Sequence, residues 1–305
     1  MIYGNYRISS PDVIYTHQIE AGKLGLMLRL VLHRPYVYDA HSSIALEAPT
    51  FKDVPSPIRR RIFFYERMII KFAAKVIVPS EELKSFLIHK YRLNPDRIGI
   101  VKNGVDRERF FPCSTDFGLR KRIGLDEDTF LVVFTNPRLP TFPSNEIALK
   151  NLFDIVPNLE KRLPGIKFLI LGGGSRPKPP TKNVIYTGYV DDLPPYINIA
   201  NVCVAPFPGN AVCGGTRTKV CEYFACGKPV VSTEEGIRGF DDAIPGKHFF
   251  LAKNQREFVE RIVECYQFPG RAKEMGRRAR IFSHAYGWKH LSQELEKNLA
   301  EVVSL

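Results

Sequence analysis

An α/β fold of strand–helix units around parallel sheets, divided into two domains, is the class that the sequence predicts. Short apolar runs rich in β-branched residues alternate with amphipathic segments of helical period. A length of 305 residues with 44% hydrophobic content is enough for two domains that each bury a core. Near the middle, KNGVDRERFFPCSTDFGLRKR combines the Asn103-Gly104 turn, a proline and mixed charge with few apolar residues in phase, which marks an inter-domain linker. The domains are then 1–107 and 108–287.

The strands of the first domain are read from DVIYT (12–16), PYVYD (35–39), KVIVP (75–79) and IGIV (98–101). FLVVFT (130–135), KFLILG (167–172), VIY (184–186), VCVAP (202–206) and PVVST (229–233) follow in the second. Each is a short apolar run of strand length, most with Val or Ile. Helical period places helices at 20–32, 57–73, 80–90, 145–161, 192–199, 217–226, 255–267 and 270–283, and a last one at 288–303. In the second helix, RRRIFFYERMIIKFAAK from Arg59, the residues Ile62, Phe63, Met68, Ile69 and Phe72 suit packing on a sheet, with the arginines in water. Membrane or nucleic-acid contact is the alternative use of that segment. Asp191-Asp192 in YVDDLPPYI reads as the acidic first turn of the helix at 192–199 in preference to a metal site.

Forty-four Lys and Arg against 32 Asp and Glu give a net charge of +12, which points to an anionic partner: nucleic acid, a phosphorylated small molecule or an acidic membrane surface. The six cysteines (113, 203, 213, 221, 226, 265) show no C-x-x-C pair and no metal-type spacing, so reduced core thiols in a cytosolic protein are expected. The N-terminus lacks a basic leader followed by an apolar run, and no apolar run approaches a membrane span. The expectation is a cytoplasmic chain, soluble or peripheral to a membrane.

The chemistry concentrates in GGTRTKVCEYFACGKPVVST, residues 214–233. The strand VCVAPF runs into a loop with Gly209, Gly214 and Gly215, and a helix starts just after it, with Thr216 or Thr218 as its cap. Unpaired N–H groups and the positive dipole end make such a start an anion site, and glycines let a phosphate come close. Arg217 and Lys219 add charge, Arg with a fork suited to phosphate oxygens. Glu222 falls on roughly the same helix face as Lys219; it cannot hold a phosphate but can accept bonds from sugar hydroxyls. The set suits a ligand with an anionic and a hydroxylated part, as a nucleotide sugar has. A solvated Lys219–Glu222 surface pair is the alternative.

Three further motifs are sorted by context. The triple glycine of FLILGGGSRPKPP is followed by prolines 177, 179 and 180, which forbid the helix that a dinucleotide fingerprint must open. Gly173 therefore belongs to a tight strand-exit turn lining a cleft. Asp126-Glu127-Asp128 precedes a strand, at the sheet edge away from the ligand crevice, and reads as solvated turn. His17 ends DVIYT and His41 ends VYDA, both at carboxyl tips of strands, where α/β sheets bind ligands.

VIVPSEELKSFL, RIGIVKNGVDRERFFP, YTGYVDDLPPYINIANVCVAPF and KVCEYFACGKPVVSTEEGIRGF together resemble the retaining, GT-B-fold glycosyltransferases of family 4, also called group 1. The resemblance covers most of residues 11–300 in the family's order. It implies two facing Rossmann-like domains with parallel sheets, the donor held mainly by the second and the acceptor by the first, and a last helix, 288–305, that crosses back to the first. Glu222 matches the second glutamate of the family's E-x7-E motif, which contacts the donor ribose, while the first falls at Gly214. Some branches carry Gly-x-x-Arg-x-Lys before that glutamate. In them Arg217 and Lys219 hold the diphosphate, beside Gly214, Gly215 and Thr216. FTNPRLPTFPSNEIALK stands where the family has a Gly-Arg…Lys-Gly clamp, with Arg138 or Asn145 as the substitute. His17 matches the histidine near the transferred sugar; His41 and Glu47 match a second motif on the acceptor side.

The implied activity is retaining hexosyl transfer from a nucleotide-diphosphate sugar to a glycan or lipid, with no metal or other cofactor and no nucleic-acid partner. A non-catalytic or partner-dependent nucleotide-sugar-binding subunit and a GT-B-like sugar-nucleotide epimerase are the alternatives. The resemblance begins in the middle of the family's first domain, so that domain is read as incomplete and the strand at 12–16 as an exposed apolar edge. A partner polypeptide or a second copy of the chain is expected to pair there.

Overall fold

The computed structural model describes residues 11–48, 55–137, 144–174 and 176–304. The N-terminal half holds β1 (Ile14–His17), α1 (Gln18–Leu32), β2 (Tyr36–Asp39), α2 (Ile44–Glu47), α3 (Ser56–Phe72), β3 (Lys75–Val78), α4 (Glu81–Tyr91) and β4 (Ile98–Ile100). The C-terminal half begins with α5 (Phe117–Arg122), β5 (Leu131–Thr135), α6 (Ser144–Arg162), β6 (Lys167–Leu171) and β7 (Val184–Gly188). It continues through α7 (Pro194–Asn198), β8 (Val202–Ala205), α8 (Thr218–Ala225), β9 (Val230–Ser232), β10 (Phe250–Leu251), α9 (Gln255–Gln267) and α10 (Pro269–Phe282), and α11 (Trp288–Val303) closes the chain. Every strand and helix expected from the sequence forms, but α7 starts at Pro194 and leaves the exposed Asp191-Asp192 outside its first turn. The short α2, α5 and β10 are additions that apolar spacing does not announce, because each is too brief to show a period.

Two parallel sheets result, with strand orders β1-β2-β3-β4 and β10-β9-β8-β5-β6-β7. In the second sheet the chain steps outward from β5 to β6 and β7, then returns to β8 on the other side of β5, so the winding reverses between β5 and β8. Open α/β sheets bind ligands outside the carboxyl ends of strands at such a reversal. Both α6 and α8 start there.

Val132, Phe134, Leu169 and Val204 of the second sheet pack against Leu152, Val156, Phe224 and Ile262 of its helices, all fully buried. Each such side chain contributes about 1.5–3 kcal/mol relative to exposure. The first sheet buries Tyr36, Tyr38 and Val76 against Ile69, Leu83 and Leu87. There α1 rides close because glycines face the sheet. A Cβ on Gly25 would lie 2.6 Å from Thr16 Cγ2, and one on Gly22 2.8 Å from Ile69 Cγ2. The outer face of α1 leaves Leu24, Met27, Leu30 and Val31 more than half exposed, and β1 pairs only with β2 among the described residues.

Three details depart from expectation. First, α3 packs through Ile69 and Ile70, but Phe72 is exposed and Glu66 is buried. That carboxylate accepts from the N–H groups of Ile44 (2.9 Å) and Ala45 (3.3 Å) and from the Tyr91 hydroxyl (2.5 Å), and so anchors the start of α2. Second, the linker is partly core: Val105 and Phe110 join the C-terminal cluster, and α5 buries Leu119 and Arg120. Arg120 is satisfied by the carbonyls of Ile199 (3.0 Å), Asp126 (3.1 Å) and Thr129. Third, Cys203, Cys221, Cys226 and Cys265 are buried, but Cys113 is exposed. The last helix lies on the N-terminal half, with Val302 against Val37 and Ile77 and Glu301 paired to Lys75. Among the described residues no helix is long and apolar enough to cross a membrane.

Candidate functional site

The C-terminal wall is built around the start of α8. Its N-cap is Arg217, with extended backbone and no side-chain cap bond, instead of Thr216 or Thr218. The Arg217 side chain turns inward. Its Nε donates to the Glu235 carbonyl (3.2 Å), and its Nη2 to the Ala211 carbonyl (2.6 Å) and the Glu235 carboxylate (2.9 Å), with the guanidinium 3.5 Å over the Phe207 ring. Those bonds use three of its five N–H donors. Thr216 Oγ1 is buried with no partner among the described residues. The first turn of α8 therefore offers uncapped N–H groups at the positive end of its dipole.

Lys219 reaches under β5. Its Nζ donates to the Thr135 carbonyl at the end of that strand and to Asn145 Oδ1 at the start of α6, both at 2.6 Å. It lies 4.5 Å from the Phe134 ring centre and 5.0 Å from that of Phe207. Burial, with the Arg217 charge second, holds its ammonium well below the ordinary lysine range. One of its three donors is left over. Asn145 thus orients Lys219 across the β5–β8 reversal.

Glu222, a turn further on, has no hydrogen-bond or ion-pair partner for its carboxylate among the described residues. Desolvation raises its carboxyl to about 7, against the pull of Lys219 and Arg109. A half-buried carboxylate without donors is costly, and ligand hydroxyls would supply them. Gly173 stands in the exit turn of β6, where the nearest atom to an added Cβ is Tyr189 Cβ at 3.9 Å. Arg138 lies outside the described residues.

On the N-terminal wall, parallel register sets His17 directly opposite Asp39, and His41 follows just beyond β2. His17 Nδ1 lies 3.1 Å from His41 Nε2 and 3.3 Å from Asp39 Oδ2, with His41 Nε2 3.9 Å from the same oxygen. The Tyr15 hydroxyl also donates to Asp39, and burial followed by that carboxylate pushes the phenol above its usual range. Glu47 is buried beside this cluster and accepts from the Ser42 hydroxyl; burial raises its carboxyl, and that bond opposes the rise.

The walls meet at the glycine loop. Ser80 Oγ donates to the Gly214 carbonyl (3.1 Å), the Gly214 N–H reaches Glu47 Oε1 (3.4 Å), and Asn103 Nδ2 donates to the Thr216 carbonyl (3.0 Å). Further out, Arg238 bridges Glu235 to Glu82, and Lys102 pairs with Asp242 (3.1 Å). No side chain fits at the contact. A Cβ on Gly214 would lie 2.7 Å from Ser42 Oγ and 3.2 Å from Ser42 Cα; one on Gly215 would lie 2.7 Å from Pro79 Cγ and 3.0 Å from the His41 carbonyl oxygen. These glycines let the halves close on each other, whatever they also allow a phosphate. Gly214→Ala is therefore expected to cost about 1–3 kcal/mol of closure through overlap. Small-angle scattering should show a larger radius of gyration than wild type, and an unchanged radius would contradict the steric role.

The structure brings His17 to His41, Lys219 to Asn145 and Glu47 to Gly214, and gives Glu222 no hydrogen-bond partner among the described residues. Tyr15, Asp39, Asn103 and Glu235 join the site unannounced. Asp39 has a signal in the sequence, since pairing DVIYTH with PYVYD in register sets it across from His17. Asn103 is hidden by its turn-like Asn-Gly setting, and Glu235 by an ordinary loop.

Two Rossmann-like halves facing across a cleft are the GT-B architecture. HepE of Anabaena, solved in complex with UDP, matches 95% of this chain and 79% of its own at a TM-score of 0.73 and 19% identity. The sucrose-phosphate synthase of Thermosynechococcus elongatus matches 96% and 74% at 0.76 and 18% identity. Two family descriptions match the sequence, Glycosyltransferase Family 4 over residues 5–109 and Glycosyl transferases group 1 over residues 132–267. The chain belongs to the family 4, group 1 glycosyltransferases. A D-inositol 3-phosphate glycosyltransferase of Streptomyces bingchenggensis is 24% identical over 94% of this chain, which spans 66% of that relative's length. One from Mycolicibacterium smegmatis is 30% identical over 54% of this chain and 36% of its own length.

Proposed function

We propose that this chain transfers a hexosyl group from a nucleotide-diphosphate sugar to a hydroxyl of a glycan or lipid, with retention at the anomeric carbon. The observation that carries the reading is the uncapped start of α8 at the β5–β8 reversal, with buried Lys219 and Arg217 beneath it and Glu222, which has no hydrogen-bond partner among the described residues, a turn on. The solved complexes of HepE with UDP and with UDP-glucose support the donor class. In this reading the diphosphate lies on the first turn of α8 beside Thr216, and the remaining donors of Lys219 and Arg217 meet its oxygens. Negative charge builds on the diphosphate as its bond to the anomeric carbon breaks, and donors already fixed in place stabilise it without reorganising. Glu222 accepts from the ribose hydroxyls, and His17 faces the transferred sugar. Side chains supply the neutralising charge, so the reading includes no metal or other cofactor.

Proton NMR of the chain incubated with UDP-, GDP- and ADP-sugars tests it. A released sugar or glycoside with the donor's anomeric configuration supports retaining transfer, and the opposite configuration contradicts it. Binding with no turnover would select a binding subunit, and a sugar nucleotide returned with an inverted centre would select an epimerase.

We also infer that the edge of β1, which pairs only with β2 among the described residues, and the apolar outer face of α1 take up another polypeptide, because a strand edge beside exposed leucines is an association site. Light scattering after size exclusion is expected to show association, and a monodisperse monomer at high concentration would contradict it.

A further inference from the structure

We infer that His17 is held by a hydrogen-bond relay as an acceptor toward the cleft, with Asp39 and Asn103 as its positioning residues, so that it recognises a hydroxyl and not an anion. The relay starts from a fixed end. A backbone carbonyl only accepts, so the Asn103 atom 3.0 Å from Thr216 O is the amide nitrogen, and Asn103 Oδ1 is the atom 3.3 Å from His41 Nδ1. That oxygen also only accepts. His41 must therefore carry its proton on Nδ1 and, as a neutral imidazole, present a lone pair at Nε2.

His17 Nδ1 faces this lone pair at 3.1 Å and the Asp39 carboxylate at 3.3 Å, two acceptors, so its proton sits on Nδ1 as well. The two rings lie within 13° of parallel with centroids 5.3 Å apart, so they meet edge to edge, as an N–H···N bond requires. Tyr15 donates to Asp39 from the other side and steadies that carboxylate. What is left on the neutral ring is His17 Nε2, a lone pair on a side chain that is 53% exposed at the carboxyl tip of β1. A hydroxyl can donate to it, whereas a phosphate or carboxylate oxygen cannot.

The relay also crosses the junction, because Thr216 belongs to the glycine loop of the C-terminal half and Asn103 reaches it from the N-terminal side. Closure of the two halves therefore fixes Asn103, and through it the His41 tautomer. Only the identity of the hydroxyl, on the transferred sugar or on the acceptor, rests on the transferase reading. The tautomers belong to the chain itself. His17, Asp39 and His41 also lie close enough together to hold a metal ion, and the test separates the two uses.

Long-range proton–nitrogen correlation NMR on the chain labelled with 15N-histidine reads the tautomers directly, with signals assigned through His17→Gln and His41→Gln, at about pH 8. Both rings are expected to be protonated at Nδ1. Asn103→Ala should return His41 to the Nε2-protonated form that free imidazole side chains prefer. Asn103→Asp, which still accepts from His41 but no longer donates to Thr216, should keep the Nδ1 form. In turnover, Asn103→Asp should exceed Asn103→Ala in kcat/KM by up to about tenfold, the worth of one such bond, since both variants lose the donation to Thr216. Nε2 protonation of His41 in the wild type, or an unchanged His41 signal in Asn103→Ala, overturns the relay. A shift of both rings on chelator treatment also overturns it, in favour of a metal site. If no donor is turned over but the tautomers are as expected, the relay stands and the transferase reading alone fails.

Discussion

Lys219→Ala is expected to lower transfer by about 10²–10³-fold while leaving a folded chain, the usual loss when one fixed donor to a developing negative charge is removed. The two bonds from Nζ to Thr135 O and Asn145 Oδ1 show that the ammonium is held in place before any ligand arrives, so no reorganisation is needed during the reaction. The effect on folding runs the other way. Burial holds the folded-state pKa well below the lysine value of 10.5. Between those two values the unfolded chain binds the proton more readily, so Lys219 opposes folding fully at low pH, and the opposition fades as pH rises through that window. Against this gain stands the loss of a donor to two buried acceptors, about 1–3 kcal/mol. Lys219→Met, which keeps the stem packed on Phe134 and Phe207, is the cleaner variant: activity should fall as far, with little change in melting temperature. Near-normal turnover in either variant would remove Lys219 from the mechanism.

Donor binding is expected to tighten as pH rises through about 7, where Glu222 titrates in the free chain because of its burial. In the proposed reading ribose hydroxyls donate to the ionised carboxylate, so binding lowers the carboxyl's pKa and releases a proton on the acid side. Each pH unit below that point should then weaken binding by up to roughly tenfold. For stability, this carboxyl is raised from 4.5, opposite to the common case, so its unfavourable contribution is absent below 4.5 and grows as pH rises to about 7. At neutral pH it reaches about 3 kcal/mol at most. Glu222→Gln should raise the melting temperature near neutrality, weaken donor binding and flatten its pH dependence. Calorimetry in buffers of different ionisation enthalpy measures the proton release directly, and a pH-independent affinity in the wild type would contradict the ribose role.

Local spacing is what the sequence makes legible. Apolar runs and helical period announce each longer strand and helix, and the glycines, Arg217, Lys219 and Glu222 stand together because one helix turn brings them together. Contacts that depend on pairing distant segments are not legible in this way. Asp39 enters through strand register, and Asn103, Ser80 and Glu47 through closure of the two halves on a loop more than a hundred residues away. Gly214 shows the limit most plainly: bare backbone beside basic residues invites a phosphate, and the nearness of Ser42 supplies a second, steric reason for the same glycine. Thr216 looks like a cap, but the inward bonds of Arg217 to Glu235 and Ala211 set the helix start one residue later.

Calorimetric titration of the chain with nucleoside diphosphates and their parent nucleosides tests the proposed donor site at α8 most directly. One site per chain is expected for at least one of the UDP, GDP and ADP series, with the parent nucleoside far weaker and the diphosphate's advantage lost in Lys219→Ala. Equal affinity for nucleoside and diphosphate, or no binding of any diphosphate, would contradict it.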